Sequence, residues 1–172
     1  NNLSLLDWKK SKIFDREVYM FSKRKNIHYI FISYGDLDES KFLKEFKNLE
    51  VYNIKKLKFK NQFILRFFQP IYSLIFDKKL INLIKNCDLL TSNQMDGALM
   101  PSIFSLILNR KFILRTGYSL SFFQSKSLKI NYIKKFFLYL YELICISTSY
   151  RYTISSKYEY EIIKNKFPFF IH

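Results

Sequence analysis

Three observations predict an α/β fold in which helices cover both faces of a parallel sheet. Short apolar runs alternate along the chain with longer segments of helical period, the order expected of strand–helix–strand units. The strand-like runs are apolar almost without interruption, which suits burial on both faces rather than on one. At 172 residues, 49% of them apolar and 19% aromatic, the chain can bury a real core within one domain and is far too hydrophobic for disorder.

Five runs read as strands: IHYIFIS (27–33), VYNIK (51–55), DLLTSN (88–93), KFILRT (111–116) and RYTISS (151–156). Between them lie helical patterns. Phe14, Val18 and Phe21 fall at spacings of four and three, one apolar stripe. Residues Met100 to Leu108 are apolar almost all round, with Pro101 allowed in a first turn. Asn131 to Ser147 and Lys157 to Lys166 are two further helices. The segment KKLKFKNQFILRFFQPIYSLIFDKK (55–79) mixes a basic start with bulky aromatics and reads as an irregular connection followed by a helix. No internal repeat is present.

The formal net charge is +15, from 29 Lys and Arg against 14 Asp and Glu. Such a field favours anionic partners: nucleic acid, a phospholipid surface or phosphorylated small molecules. The abundance of Lys, Ile, Asn, Phe and Tyr also follows AT-rich codons, so the charge alone is suggestive and not diagnostic. Cys87 and Cys145 sit in apolar stretches and read as buried thiols rather than a disulfide, which makes a cytoplasmic setting the default. With two histidines they make no convincing metal set. No apolar run reaches the roughly 18–20 residues of a spanning helix. NNLSLLDWKK lacks the order of a secretory signal, and KFPFFIH reads as the start of a new apolar strand. The chain is therefore expected to be a fragment.

The three glycines, Gly35, Gly97 and Gly117, each fall at or just beyond the carboxyl end of an expected strand. In an open α/β sheet, ligands bind outside those ends. Glycine lets backbone turn sharply or approach a ligand closely, and either use fits here. Two of the turns also gather polar side chains. TSNQMDG (91–97) carries Ser92, Asn93, Gln94 and Asp96, whose amides and hydroxyls suit sugar hydroxyls; helix capping is the plainer role for Asn93 and Asp96. RTGYS (115–119) adds Arg115, whose planar fork suits phosphate or carboxylate, together with Thr116 and Tyr118.

No phosphate loop, GxGxxG, nucleophile elbow, HExxH or CxxC pair occurs. His28 opens a strand and reads as structural. Asp36, Asp38 and Glu39 read as a solvated turn or helix cap rather than a catalytic pair.

Trp8, DREVYMF (15–21), FISYGD (31–36), TSNQMDGA (91–98) and FILRTGYS (112–119), in that order and spacing, resemble a subgroup of bacterial family 4 glycosyltransferases. These are retaining enzymes with two Rossmann-like domains facing across a cleft, the GT-B fold. The likeness runs from about Leu5 to Ser156. It implies that residues 1–172 are the amino-terminal, acceptor-side Rossmann-like domain, with the first strand and the donor-binding domain outside this sequence, and that the isolated chain is inactive. The implied activity is transfer of a sugar from a nucleotide-sugar donor to a glycan or lipid-linked acceptor with retention. No cofactor is expected, the nucleotide sugar being a substrate, and no metal. Arg115 and Thr116 are the implied catalytic positions, where many members of the family carry a histidine at the latter. Asn93, Gln94, Gly97, Gly117 and Tyr118 are the implied substrate contacts.

Two other readings stand beside this one. The charge and interleaved aromatics suit a nucleic-acid-binding module, and the strand order suits a non-catalytic nucleotide-binding domain. Lys126, Lys129, Lys134 and Lys135 near Phe136, Phe137, Tyr139 and Tyr141 also suit peripheral contact with an anionic membrane, at its cytoplasmic face; aromatics in the core under ordinary surface lysines is the alternative.

Overall fold

The computed structural model of the protein describes residues 4–35, 38–55, 57, 62–117, 119–120 and 132–170. It is a Rossmann-like α/β fold, as the alternation of elements requires. The strands are β1 (Tyr29–Ser33), β2 (Leu49–Asn53), β3 (Leu89–Thr91), β4 (Lys111–Thr116) and β5 (Arg151–Ile154). The helices are α1 (Leu5–Lys10), α2 (Ile13–Ser22), α3 (Gln62–Phe76), α4 (Lys78–Lys85), α5 (Leu99–Leu108), α6 (Tyr132–Ser147) and α7 (Lys157–Lys166). All strand pairs are parallel: β1 with β2, β3 with β4, and β4 with β5.

The expected single sheet is divided. Among the described residues β1–β2 form one sheet and β3–β4–β5 another, with no ladder between them. Side chains join what hydrogen bonds do not. Ile32, Tyr34 and Tyr52 from the smaller sheet pack against the large cluster that contains Phe104, Phe112, Leu114, Leu138 and Tyr141. A second cluster lies under α1 and α2, where Leu5, Phe14 and Val18 meet Leu43 and Leu49. It is rich in ring contacts: Trp8 meets Phe31 edge-on at 5.8 Å, and Phe21 meets Phe31 at 5.5 Å.

Local chemistry explains the ends of several elements. Ser4 caps α1 by accepting the Asp7 N–H at 3.0 Å. Lys12 takes the left-handed conformation at φ 59° and lets the chain turn from α1 into α2. Asp77 caps α4 through the Leu80 N–H and also accepts from the Tyr52 hydroxyl at 2.6 Å, tying β2 to that helix. Ser156 caps α7 through the Glu159 N–H.

Within the basic, aromatic segment 55–79 the expected helix is α3, followed by the start of α4, while the expected irregular connection falls mostly on residues 56 and 58–61, outside the described set. The carboxyl end differs from expectation. Residues 168–170 form a turn rather than a strand, with Phe167 buried against Tyr139 at 5.1 Å, while residues 171–172 lie outside the described set.

Glu39 explains Gly35. Its buried carboxylate accepts from the Leu5 and Leu6 N–H groups at 3.0 and 2.9 Å and from the Ser33 hydroxyl, so it completes the cap of a helix more than thirty residues earlier. A Cβ built on Gly35 would stand 2.7 Å from Glu39 Oε1. The glycine leaves room for that carboxylate. Gly35→Ala should therefore displace Glu39 and lower stability by about 1–3 kcal/mol, measured by denaturant unfolding.

Candidate functional site

Parallel pairing sends the carboxyl ends of β3, β4 and β5 to the same edge of the sheet. The Ser92 side chain extends the ladder past the end of β3. Its hydroxyl accepts from the Arg115 N–H at 3.0 Å and donates to the Arg115 carbonyl at 3.2 Å. The turn that follows β3 and the end of β4 are thus fastened together by one small side chain. On the other side, the Ser155 hydroxyl donates to the Gly117 carbonyl at 3.3 Å.

Arg115 projects toward α2. Its guanidinium lies 3.8 Å from Glu17 Oε2 and 6.0 Å from the centre of the Phe21 ring, with about a third of the side chain exposed. Glu17 is buried, and its other oxygen accepts from Arg16 at 2.9 Å. Glu17 Oε2 has no hydrogen-bond partner. The carboxylate is therefore bracketed by two arginines, one in hydrogen-bond contact and one beyond it. A salt bridge within the domain is present at Arg115, through a single contact too long for the bidentate form.

Thr116 is buried beside the phenol of Tyr152. Gly117 is half of a contrast with Gly35. Its φ is not positive, and among the described residues a Cβ there would meet Ser155 Oγ at an ordinary 3.7 Å. Neither the backbone geometry nor any described side chain demands a glycine at 117. Tyr118 lies outside the described residues.

Asn93, Gln94, Asp96 and Gly97 are half-buried in the turn before α5. The expected capping role is not taken up. Ala98 is the residue before α5, with no side-chain cap, and a 3₁₀ turn at Met95–Gly97 stands between Gln94 and the helix. The turn is fastened from beneath by Tyr141. Its fully buried hydroxyl points at the carbonyls of Met95 and Asp96, at 2.9 and 2.8 Å, and accepts from the Leu99 N–H at 3.2 Å. Burial is the main cause of a phenol pKa well above the ordinary tyrosine value. Tyr141, counted in the sequence among aromatics for a membrane face, is a core residue that shapes this turn.

Below the end of β4 sits a polar group that the strand and glycine pattern does not reveal. Ser119 donates its N–H to Glu159 and its hydroxyl to Glu142, both at 2.9 Å, and Lys166 pairs with Glu142. Both carboxylates are buried. Their charge, after burial itself, pushes the Tyr152 phenol upward. A lone Glu inside the apolar helix LYELICIS was the available signal for Glu142.

Other expected positions fall elsewhere. His28 pairs with Glu50 across the start of β1 and β2 at 3.5 Å, on the surface rather than in the core. Asp38 is exposed and accepts from the Ser40 N–H, which lowers its pKa. Asp36 and His172 lie outside the described residues. Cys145 is buried and Cys87 half-buried, both free thiols pushed up by burial. Among the described residues no group of His, Cys, Asp and Glu is arranged to hold a metal.

The assembled edge offers a partly exposed guanidinium above a buried carboxylate, half-buried amides, and a glycine that no described neighbour requires. Such an edge can meet an anion at Arg115 and hydroxyl groups at Asn93 and Gln94. Gly117→Ala should fold with native or slightly raised stability, by up to about 1 kcal/mol, because the unfolded chain loses freedom at no native cost. Tyr141→Phe should lower stability by about 1–3 kcal/mol, since it leaves the turn's buried backbone groups without their partner. Denaturant midpoints measure both.

Comparison with known protein families, with curated proteins and with solved structures returns no match.

Proposed function

We propose that this chain forms the acceptor-side half of a retaining glycosyltransferase cleft, moving a sugar from a nucleotide-sugar donor to a glycan or lipid-linked acceptor. One observation carries the reading. The segments DREVYMF, TSNQMDG and RTG, distant in sequence, meet at one strand edge through Glu17–Arg115 and Ser92–Arg115 contacts. Gly117 supports it from another side, since a glycine at a strand end that no described neighbour crowds suits close approach of a substrate.

On this reading Arg115 faces the negative charge that grows on the departing diphosphate, which preorganised cations stabilise in proportion to their fixed position. Glu17 and the Phe21 ring give Arg115 that position. Thr116 and Gly117 line the floor beneath the reacting sugar, with Tyr118 beside them. Asn93, Gln94 and Gly97 shape the acceptor pocket. The reading calls for a second Rossmann-like half to hold the donor, no metal, and a location on the cytoplasmic side of a membrane.

The test is sugar transfer by the protein that carries this chain, with labelled nucleotide sugars and the product's anomeric configuration read by NMR. Transfer with retention is expected. Arg115→Ala should lower kcat/KM by about 100-fold, while Glu17 keeps Arg16 and stability falls by no more than about 1 kcal/mol. Activity lost only in proportion to stability would assign Arg115 to support alone. Absence of transfer, together with DNA or RNA binding that weakens steeply with salt, would replace the reading with a nucleic-acid module, which the charge of +15 favours.

A further inference from the structure

Helix α3 is built inside out. Ile64, Phe68, Ile71 and Ile75, spaced by four, three and four, form one stripe, and they are 38%, 54%, 48% and 59% exposed. The buried side of the same helix carries Gln69 and Ser73, both at 0%, beside Leu65 at 2%. Gln69 uses its whole amide there: its Nε2 donates to the Lys55 carbonyl and Ser73 Oγ, and its Oε1 accepts from the Leu57 N–H. That polar side is fixed inward by those bonds. The apolar stripe is left facing out.

Helix α6 repeats the excess. Leu138, Tyr141 and Cys145 satisfy its core face, yet Tyr132, Ile133 and Phe136 are 88%, 65% and 62% exposed. Large apolar side chains thus stand on both the core side and the outer side of this helix. The two stripes are joined, because Phe67 of α3 packs edge-on against Phe137 of α6 at 5.9 Å, and Phe137 touches Phe136 at 6.0 Å. Contiguous apolar surface of this kind marks an interaction site.

Charge selects the occupant. Residues 55–76 contain five Lys and Arg and no acidic residue, and residues 132–141 of α6 contain two Lys and none. Lys135 is exposed between Tyr132 and Phe136, and Lys78 and Lys79 are exposed just past Phe76. Rings and isoleucines flanked by ammonium groups match the boundary between acyl chains and anionic headgroups. No helix among the described residues is long and apolar enough to cross a membrane.

We propose that the α3–α6 face seats this chain peripherally on an anionic phospholipid bilayer. The inference stands apart from the transfer reading, since lipid binding and sugar transfer are measured separately. The alternative of aromatics confined to the core fits Tyr141 but not Phe68 or Phe136.

Flotation of the chain with vesicles provides the test. Vesicles of equal parts phosphatidylcholine and phosphatidylglycerol should carry the chain upward, and vesicles of phosphatidylcholine alone should carry at least tenfold less. Raised salt should weaken the binding. The double variant Phe68→Ser, Ile71→Ser should bind at least tenfold more weakly with an unchanged thermal transition, and Lys135→Glu should lose binding to the anionic vesicles. Should the double variant fail to fold, Phe136→Ser on α6 carries the same expectation. Failure to float, equal flotation on neutral vesicles, or variants that float like the parent overturn the proposal. So does a lipid-free dimer in sedimentation that Phe136→Ser dissolves, which would assign the face to a second copy of the chain.

Discussion

Parallel strand pairing is the constraint on which the rest depends. Parallel neighbours cannot be joined by tight hairpins, so each pair of strands needs a long crossover, and helices supply it. Those helices bury Leu90, Phe112 and Leu114 on one side of the larger sheet, while Leu89, Thr91, Arg151 and Thr153 at alternate positions stay exposed. The same direction brings the carboxyl ends of β3, β4 and β5 to one edge. Ser92 and Arg115 are 23 residues apart, yet bond to each other because β3 and β4 run in register from Leu89 and Lys111 onward. Sequence motifs that are scattered along the chain thereby become one surface.

At that edge, position and support are divided among different elements. Glu17 arrives on α2 and is buried, so it resists being drawn away from Arg115. Tyr141 arrives on α6 and fixes the turn from Met95 to Leu99 through backbone atoms alone. Ser119 anchors the chain just after β4 to Glu142 and Glu159. The partly exposed groups Asn93, Gln94 and Arg115 thus rest on buried ones held in place by their own contacts, an arrangement that limits wandering of the polar side chains.

The alternation of elements and all five strands were legible because their apolar runs are bounded by turn residues. The ends shifted by a residue or two, as with β2, which begins at Leu49 rather than Val51. The division of the sheet was not legible, since the apolar pattern of a strand says nothing about which edge lacks a neighbour. α1 was missed because six residues are too few to show a period; its stability comes from Ser4 and Glu39, and the latter is remote in sequence. Gly35 and Gly117 look alike in sequence, and only the carboxylate beside one of them separates their roles. Aromatic residues on α6 likewise cannot be sorted by type: Tyr141 is buried and Tyr132 exposed because the helix turns one inward and the other outward.

The smaller aromatic cluster has a consequence for spectroscopy. Trp8 is the single tryptophan of the chain, and it stands against Phe31 within the β1–β2 unit. Indole emission therefore watches only the detachment of α1 and α2 from that unit, whereas far-ultraviolet dichroism is dominated by the long helices α3 and α6 around the larger cluster. Because the two sheets share side chains but, among the described residues, no ladder, comparing the two signals tests how tightly that shared packing couples them. The lone indole acts as a built-in gauge of whether the molecule melts as one unit or as two.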